Sequence, residues 1–146
     1  MGCGLAYHLA HEGWTDVVLL EKAELTSGST WHAAGQITQS TSSFALGKIV
    51  DYNIGLYSHE LEKETGQAIS WHGCGSLRLA YSEDEMDWLR QTLSVGRALG
   101  STIELIGTDQ ISRLPPFYNF DGVLGAVNTP AAGPVSPLQG ALAPTA

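Results

Sequence analysis

The sequence predicts an α/β fold, in which a helix followed by a buried strand indicates a parallel sheet and a later pair of strands fits a hairpin. Residues 2–12 place leucine and alanine at helical spacing, and residues 15–21, TDVVLLE, form the short apolar run of a strand covered on both faces. Later stretches alternate apolar and polar residues, above all SLRLAY. Parallel sheets are wound from strand, helix, strand units, so a chain that opens on a helix lacks the strand before it. We therefore expect the first strand to be missing and the N-terminus to be truncated.

Beyond residue 21 the sequence predicts a loop, two long helices and several short strands. Residues 25–36, LTSGSTWHAAGQ, are too polar for a core strand and too interrupted by glycine for a long helix, so we expect a loop leading into a short helix. The other predicted elements are an amphipathic helix from about Phe44 to Lys63, strands in ISWH (69–72) and SLRLAY (76–81) that form a hairpin or an adjacent pair, a helix from about Glu83 to Leu99 capped by Ser82, and strands near residues 103–106 and 123–128. Residues 135–146 resemble a helix that stops with the chain, so we expect the C-terminus to be truncated too.

Composition and charge exclude several classes of function. The chain has 15 acidic and 7 basic residues, and its formal net charge of -8 would repel nucleic acid and anionic lipid. No apolar run approaches the roughly 20 residues of a membrane-spanning helix, and the N-terminus lacks the pattern of a secretory signal. We therefore predict no nucleic-acid or membrane partner, and a cytoplasmic protein, or a mitochondrial matrix protein if the source is eukaryotic.

The cysteines and the paired histidines form no recognisable metal pattern. Cys3 and Cys74 lack a CxxC or Cys/His ligand spacing, so we predict no metal site. His8 and His11 lie three apart on a predicted helix without an accompanying carboxylate or cysteine ligand, which favours a structural or surface role. His72 lies two residues before Cys74, a spacing that places both side chains on one face of a strand. A structural role is favoured for Cys74, and a thiol activated by His72 is the alternative.

Two residues stand at the spacing of a dinucleotide-binding unit. Such a unit needs a glycine turn before a helix N-terminus, and an acidic residue after the next strand to accept hydrogen bonds from ribose hydroxyls. Gly2 suits the last glycine of that turn, and Glu21 follows 19 residues later at the end of DVVLLE. Taken alone, the pattern also fits an ordinary helix start and a solvated strand end.

The segment GCGLAYHLAHEGWTDVVLLEKAELTSGSTWHAAG carries a resemblance to a known family. It resembles the FAD-dependent oxidoreductases of the D-amino-acid-oxidase type, most closely their dimethylglycine and sarcosine dehydrogenase branch. The stretches ETGQ, GSLRLA, DGVLGAVNTPAAGPVSP and QGALA are similar to the same branch, so the resemblance covers essentially the whole chain. It implies an FAD-binding Rossmann-like parallel sheet in residues 1–74, part of a mainly antiparallel substrate-binding region in residues 75–129, and a return toward the FAD domain in residues 130–146.

The resemblance also implies a set of cofactor-binding residues. Gly2 matches the phosphate turn, and Glu21 and Lys22 match the residues at the adenosine ribose. The residues that match the flavin-binding segment are Gly28, Ser29, Thr30, Trp31, His32, Ala33, Ala34, Gly35 and Gln36. Within WHAAG, His32 matches the histidine bonded through a ring nitrogen to the methyl group on the dimethylbenzene ring of the flavin. The alternative for His32 is a structural histidine bonded to a neighbouring carbonyl, and Trp31 fits core packing or a wall of the flavin site equally.

The implied reaction is oxidative demethylation of a small N-methylated glycine, with electrons passed to an electron-transfer flavoprotein. The iminium product would be hydrolysed or captured by tetrahydrofolate, whose domain would lie beyond Ala146, and no catalytic residue is named. Three alternatives stay open: a non-enzymatic regulatory homologue, an inactive gene fragment, and an amine oxidase that uses oxygen. A nicotinamide enzyme is less favoured, because the LTSGSTWHAAG loop has no evident role in NAD binding.

Overall fold

The structure, a computed structural model, describes residues 1–114 and 119–137. The helices are α1 (Gly2–His11), α2 (Phe44–Gly55), α3 (Leu61–Thr65), α4 (Glu83–Leu99) and α5 (Thr108–Ile111), and the strands are β1 (Gln36–Ile37), β2 (Ser76–Ala80), β3 (Glu104–Ile106), β4 (Gly125–Thr129) and β5 (Gly133–Pro134). Contacts divide the chain into two units. The first contains residues 1–36, 55–72 and the described residues from 134, and the second contains residues 37–54 and 73–133.

The second unit is built on a three-stranded sheet in the order β2-β4-β3. Both pairings are antiparallel, and Ala126 at the centre lies opposite Leu79 on one side and Ile106 on the other. Successive side chains of a strand point to opposite faces, so Ala126 and Val127 serve different cores. Val127 packs with Leu89 and other residues of α4, whereas Ala126 packs in a cluster that includes Ile111 of α5. The predicted antiparallel part of the fold is therefore confirmed.

Helix α4 has the limits that the sequence predicts, Glu83 to Leu99. Its N-terminus is a capping box: the Glu85 amide donates to Ser82 Oγ at 3.2 Å, and the Ser82 amide donates to Glu85 Oε2 at 3.2 Å. Three acidic residues in the first turn face the positive end of the helix dipole. Leu89 and Leu93 bury the apolar stripe against the sheet.

The amphipathic helix predicted from Phe44 to Lys63 is confirmed, with one irregularity. After α2 the backbone continues through a π-helical turn, Leu56–Glu60, directly into α3. In the first unit, Leu56, Leu61 and Ile69 form the buried cluster of this region, with Tyr57 packed against it. Burial raises the pKa of the Tyr57 phenol above its ordinary value of 10.0.

Helix α1 is confirmed close to its predicted limits, and it is tied to α3 by polar contacts. Its Tyr7 hydroxyl donates a hydrogen bond to Glu64 Oε2, and His11 Nε2 lies 4.0 Å from Glu64 Oε1. Both partners of the His11 pair are largely exposed, so this contact adds little stability. Together with the packing of Tyr7 on the Leu56 cluster, these contacts position α1 within the first unit.

The predicted strand at residues 15–21 is not formed. These residues belong to neither a helix nor a strand, and Val18 and Leu20 are 79% and 87% exposed. A strand depends on hydrogen bonds to a neighbour, and within the described residues none lies alongside this run. The mixed helix and sheet class is carried by the helices and by the antiparallel sheet of β2, β4 and β3.

The prediction that ISWH (69–72) is a strand paired with residues 76–81 is wrong. In the structure β2 pairs with β4, while Ile69 is buried in the cluster of the first unit. The His72 amide donates a hydrogen bond to Pro134 O at 3.0 Å, so this segment is held in place although residues 69–72 form no β-strand. The helix predicted at residues 135–146 lies mostly outside the described residues.

Candidate functional site

The loop before β1 is built from two consecutive turns. The Ser27 amide donates to Glu24 O at 3.2 Å, which closes a four-residue turn with Thr26 at its third position. A 3₁₀ helix follows at Ser29–His32, with the Trp31 amide donating to Gly28 O at 3.2 Å. A loop that leads into a short helix is what the sequence predicts, and this expectation is confirmed.

The 3₁₀ helix fixes the orientation of the His32 ring. His32 Nδ1 lies 3.2 Å from Gly28 O, and a carbonyl oxygen can only accept a hydrogen bond. In the neutral ring Nδ1 therefore carries the proton, and Nε2 keeps the lone pair. The side chain is exposed, and Nε2 has no hydrogen-bond partner within residues 1–114 and 119–137. His32 thus presents a nucleophilic nitrogen at the surface of the loop.

A pocket of about 140 Å³ adjoins the same loop. It is lined by Thr26, Thr30, Trp31, Ala33 and Pro137. Trp31 is 75% exposed, and its indole forms one wall of the pocket. The lining joins an aromatic face and two further apolar surfaces to two threonine side chains, the mixture that ligand pockets typically present.

Gly35 holds the end of the loop against a distant segment of the chain. Its backbone has a φ of +71°, and its carbonyl accepts a hydrogen bond from the Val135 amide at 2.8 Å. A Cβ built on Gly35 would lie 2.3 Å from Val135 O and 3.1 Å from Pro137 Cδ. Only glycine permits this approach, which brings Pro137 to the pocket.

The predicted ribose and phosphate residues lie on neighbouring parts of the first unit. Gly2 opens α1, and a Cβ on Gly2 would lie 3.1 Å from Leu19 Cδ1, so the helix start packs close to the segment that leads to Glu21. Glu21 is exposed, and its Oε1 accepts a hydrogen bond from the Ala23 amide at 3.1 Å. Lys22 is exposed as well.

The predicted site residues fall into two groups. The flavin-binding group, residues 28–36, is drawn together by the 3₁₀ helix, and Ser29, Ala33, Ala34 and Gln36 are exposed. Within the described residues, no hydrogen bond or ion pair joins Gly2, Glu21 or Lys22 to that group.

Sequence reasoning missed Thr26 and Pro137 as pocket residues. Thr26 lies inside the LTSGSTWHAAG motif, but the family resemblance implies flavin-binding residues only from Gly28 onward. Pro137 lies more than 100 residues further along the chain, and no periodicity or spacing in the sequence connects it to Trp31. Its place at the pocket follows from the close approach at Gly35.

The other candidate residues are engaged locally. His8 Nδ1 lies 2.6 Å from Gly4 O within α1, and Cys74 Sγ lies 3.6 Å from Gly75 O. In the part of the chain that the structure describes, no three His, Cys, Asp or Glu side chains are grouped as metal ligands. None of the described helices has the length and apolar character needed to cross a membrane.

Comparison with known proteins identifies relatives along almost the whole chain. The family described as "FAD dependent oxidoreductase" matches residues 1–143. Mitochondrial dimethylglycine dehydrogenase of Rattus norvegicus is 41% identical over 137 residues, which are 94% of this chain and 16% of the relative. Mitochondrial sarcosine dehydrogenase of Homo sapiens is 34% identical over 94% of this chain and 15% of the relative. The chain thus spans about one sixth of the length of these curated relatives.

The relatives include a protein named as a regulatory subunit, and the chain also resembles a solved structure. The mitochondrial pyruvate dehydrogenase phosphatase regulatory subunit of Mus musculus is 36% identical over 98% of this chain and 16% of its own length. The crystal structure of L-proline dehydrogenase from P. horikoshii superposes with a TM-score of 0.86 at 23% identity, covering 97% of this chain and 37% of that chain. This likeness shows that the two chains share a fold.

Proposed function

Because the chain belongs to the FAD dependent oxidoreductase family, we propose that it carries FAD-binding residues of an enzyme that oxidatively demethylates a small N-methylated glycine. The relatives named dimethylglycine and sarcosine dehydrogenase support this substrate class. The flavin, when bound, would supply the chemistry by accepting the two electrons removed from the carbon–nitrogen bond of the amine. The protein's own residues would bind, orient and modify that cofactor.

The observation that carries the proposal is the orientation of His32. Gly28 O fixes the protonated nitrogen as Nδ1, so the free lone pair is on Nε2 at the exposed side of the loop. The exposed lone pair leaves Nε2 accessible for a bond to a cofactor. We therefore propose that Nε2 is the atom through which FAD is covalently held.

The residues around His32 fit a flavin. The pocket of about 140 Å³ offers the Trp31 indole, Ala33 and Pro137 as apolar surface and two threonines as polar surface. The exposed backbone of residues 28–36 is rich in small side chains, which lets a cofactor approach the main chain. Glu21, within the exposed residues 10–25, would accept hydrogen bonds from ribose hydroxyls, beside Lys22, with Gly2 at the phosphates.

Formation of the proposed bond balances as a two-electron oxidation. The Nε2–carbon bond replaces one carbon–hydrogen bond of the methyl group on the dimethylbenzene ring. One proton would leave the methyl carbon and one would leave His32 Nδ1, both to solvent, because the Gly28 carbonyl accepts a hydrogen bond from Nδ1 but is too weak a base to take the proton. The two electrons would be taken up by the bound flavin, and we propose that an electron-transfer flavoprotein is the acceptor that would then receive them.

The test is the mass of the peptide that contains His32, from full-length protein isolated under denaturing conditions. We expect that peptide to be heavier by FAD less two hydrogens, and His32→Ala to abolish the added mass. His8→Ala is the matched control, because His8 Nδ1 faces the carbonyl four residues earlier, as His32 Nδ1 does. Flavin that dissociates on denaturation, or that is bonded to another residue, would overturn the attachment to His32.

A second candidate is a non-enzymatic regulatory subunit, favoured by the Mus musculus relative at 36% identity. Full-length protein that is isolated without flavin, and that takes up none on reconstitution, would support this role. We also propose that residues 1–74 belong to the FAD-binding domain, residues 75–129 to the substrate-binding region, and residues 130–146 to the return toward the FAD domain. Tetrahydrofolate would capture the one-carbon unit. In a eukaryotic source the protein would lie in the mitochondrial matrix, a location that the names of the mitochondrial relatives favour.

A further inference from the structure

Thr26 adopts a backbone conformation that its side chain disfavours. Its φ is +71°, in the left-handed region, at the third position of the turn that Glu24 and Ser27 close. Glycine or asparagine is usual where a turn requires positive φ, and a β-branched residue there is a genuine outlier. Gly35, nine residues later in the same loop, has the same φ of +71° and is glycine. The loop therefore has glycine at one of its two left-handed positions and a β-branched residue, Thr26, at the other.

The Thr26 side chain has no evident structural task that would explain a threonine at this position. It is half-buried and lines the pocket with Thr30, Trp31, Ala33 and Pro137. Within residues 1–114 and 119–137 its hydroxyl makes no hydrogen bond. Strained residues of this kind cluster at ligand sites, where the side chain has a function that outweighs the backbone cost.

We propose that Thr26 is a cofactor-contacting residue whose hydroxyl hydrogen-bonds a polar atom of the flavin in this pocket. The inference rests on the proposed binding of FAD. A cavity of about 150 Å³ accommodates a single six-membered aromatic ring, so a pocket of about 140 Å³ suits one edge of a larger ring system. Trp31 and Pro137 supply the apolar walls for that edge, and Thr26 and Thr30 supply hydroxyls for its polar substituents.

The experiment measures FAD affinity in the full-length protein with His32 replaced by alanine, so that no bond traps the cofactor. This parent is compared with Thr26→Val, Thr26→Ser and Thr26→Gly by titrating each apoprotein with FAD and following visible absorbance. Valine keeps the branched shape without the hydroxyl, serine keeps the hydroxyl, and glycine relieves the backbone strain. The thermal unfolding temperature of each apoprotein is measured in parallel.

We expect Thr26→Val to weaken FAD binding about 2- to 12-fold, the range for loss of one hydrogen bond, and Thr26→Ser to bind within about twofold of the parent. Thr26→Gly should bind FAD as weakly as the valine variant, although its apoprotein unfolds at the same temperature as the parent or higher. Weaker binding without loss of stability is a result that a purely structural threonine would not give.

The outcomes separate this inference from the proposed function. If valine and glycine variants bind FAD as tightly as the parent, the inferred role of Thr26 is wrong while FAD binding stands. If binding falls only in variants whose unfolding temperature falls, Thr26 is structural and the inference is likewise overturned. If neither the parent nor the unmodified protein binds FAD, the proposed function itself fails, and the role of Thr26 fails with it.

Discussion

Replacing Gly35 with alanine should separate the two reasons for glycine at this position. The first is its φ of +71°, where an added Cβ costs about 1–2 kcal/mol. The second is the Val135 carbonyl oxygen, 2.3 Å from the position of that Cβ, a contact that only a shift of the main chain can relieve. Such overpacking typically costs about 1–3 kcal/mol. We therefore expect Gly35→Ala to lower the free energy of unfolding by about 2–5 kcal/mol.

Gly13→Ala is the matched control for the backbone cost. Gly13 has a φ of +85°, but a Cβ built there meets no atom within 4 Å. Its substitution should cost only the conformational part, about 1–2 kcal/mol. The difference between the two variants, measured by urea unfolding followed by far-ultraviolet circular dichroism, isolates the contact with Val135.

The same pair of variants tests whether the Gly35 contact shapes the pocket. In Gly35→Ala the segment that contains Val135 and Pro137 must retreat, which moves one wall away from Trp31. FAD uptake by apoprotein should therefore fall in Gly35→Ala and stay unchanged in Gly13→Ala. An equal decrease in the free energy of unfolding in the two variants would refute this reasoning, because the contact with Val135 would then add nothing to the cost of the substitution.

Two other substitutions probe single interactions. Ser82→Ala removes the capping box of α4 and should lower the free energy of unfolding by about 1 kcal/mol, measured by urea unfolding; Ser94→Ala, on the exposed face of the same helix, is the control and should change it far less. Tyr57→Phe should alter the alkaline end of the stability profile. Burial raises the pKa of Tyr57 in the folded protein above 10.0, so the unfolded chain loses the phenol proton at a lower pH than the folded protein does. The contribution of Tyr57 to the free energy of unfolding is therefore complete below about pH 10 and is lost as the pH rises through the folded pKa. The phenylalanine variant should lose less stability above pH 10 than the parent, and an unchanged slope would contradict the burial argument.

The helices were predictable because their signals are local. Ser82 and Glu85 lie three residues apart and form the capping box by themselves, and the apolar stripe of α4 repeats at helical spacing. Strand pairing depends on residues distant in sequence. The run from Val17 to Leu20 is as apolar as a buried strand, yet without a neighbour among the described residues it forms no ladder. Residues 69–72 show the same limit, since β2 takes β4 as its partner.

The candidate site also combines a part that depends on local contacts with a part that depends on residues distant in sequence. The position of His32 Nδ1 at Gly28 O is a contact between residues four apart, so a sequence motif suffices to single out the histidine. The pocket beside it needs Pro137, which is brought there by the close approach of Gly35 to Val135. No pattern in the sequence connects these segments.

The two left-handed residues of the loop enclose the 3₁₀ helix that carries His32. Thr26 lies before this helix and Gly35 after it, and the positive φ of each residue changes the direction of the chain. The hydrogen bond to Gly28 O then restricts the His32 ring to one orientation. A nucleophilic nitrogen held in one orientation loses less conformational freedom when it bonds to a cofactor than one on a mobile chain. Loosening either turn should therefore slow the proposed attachment of flavin to His32, even where the histidine itself is intact.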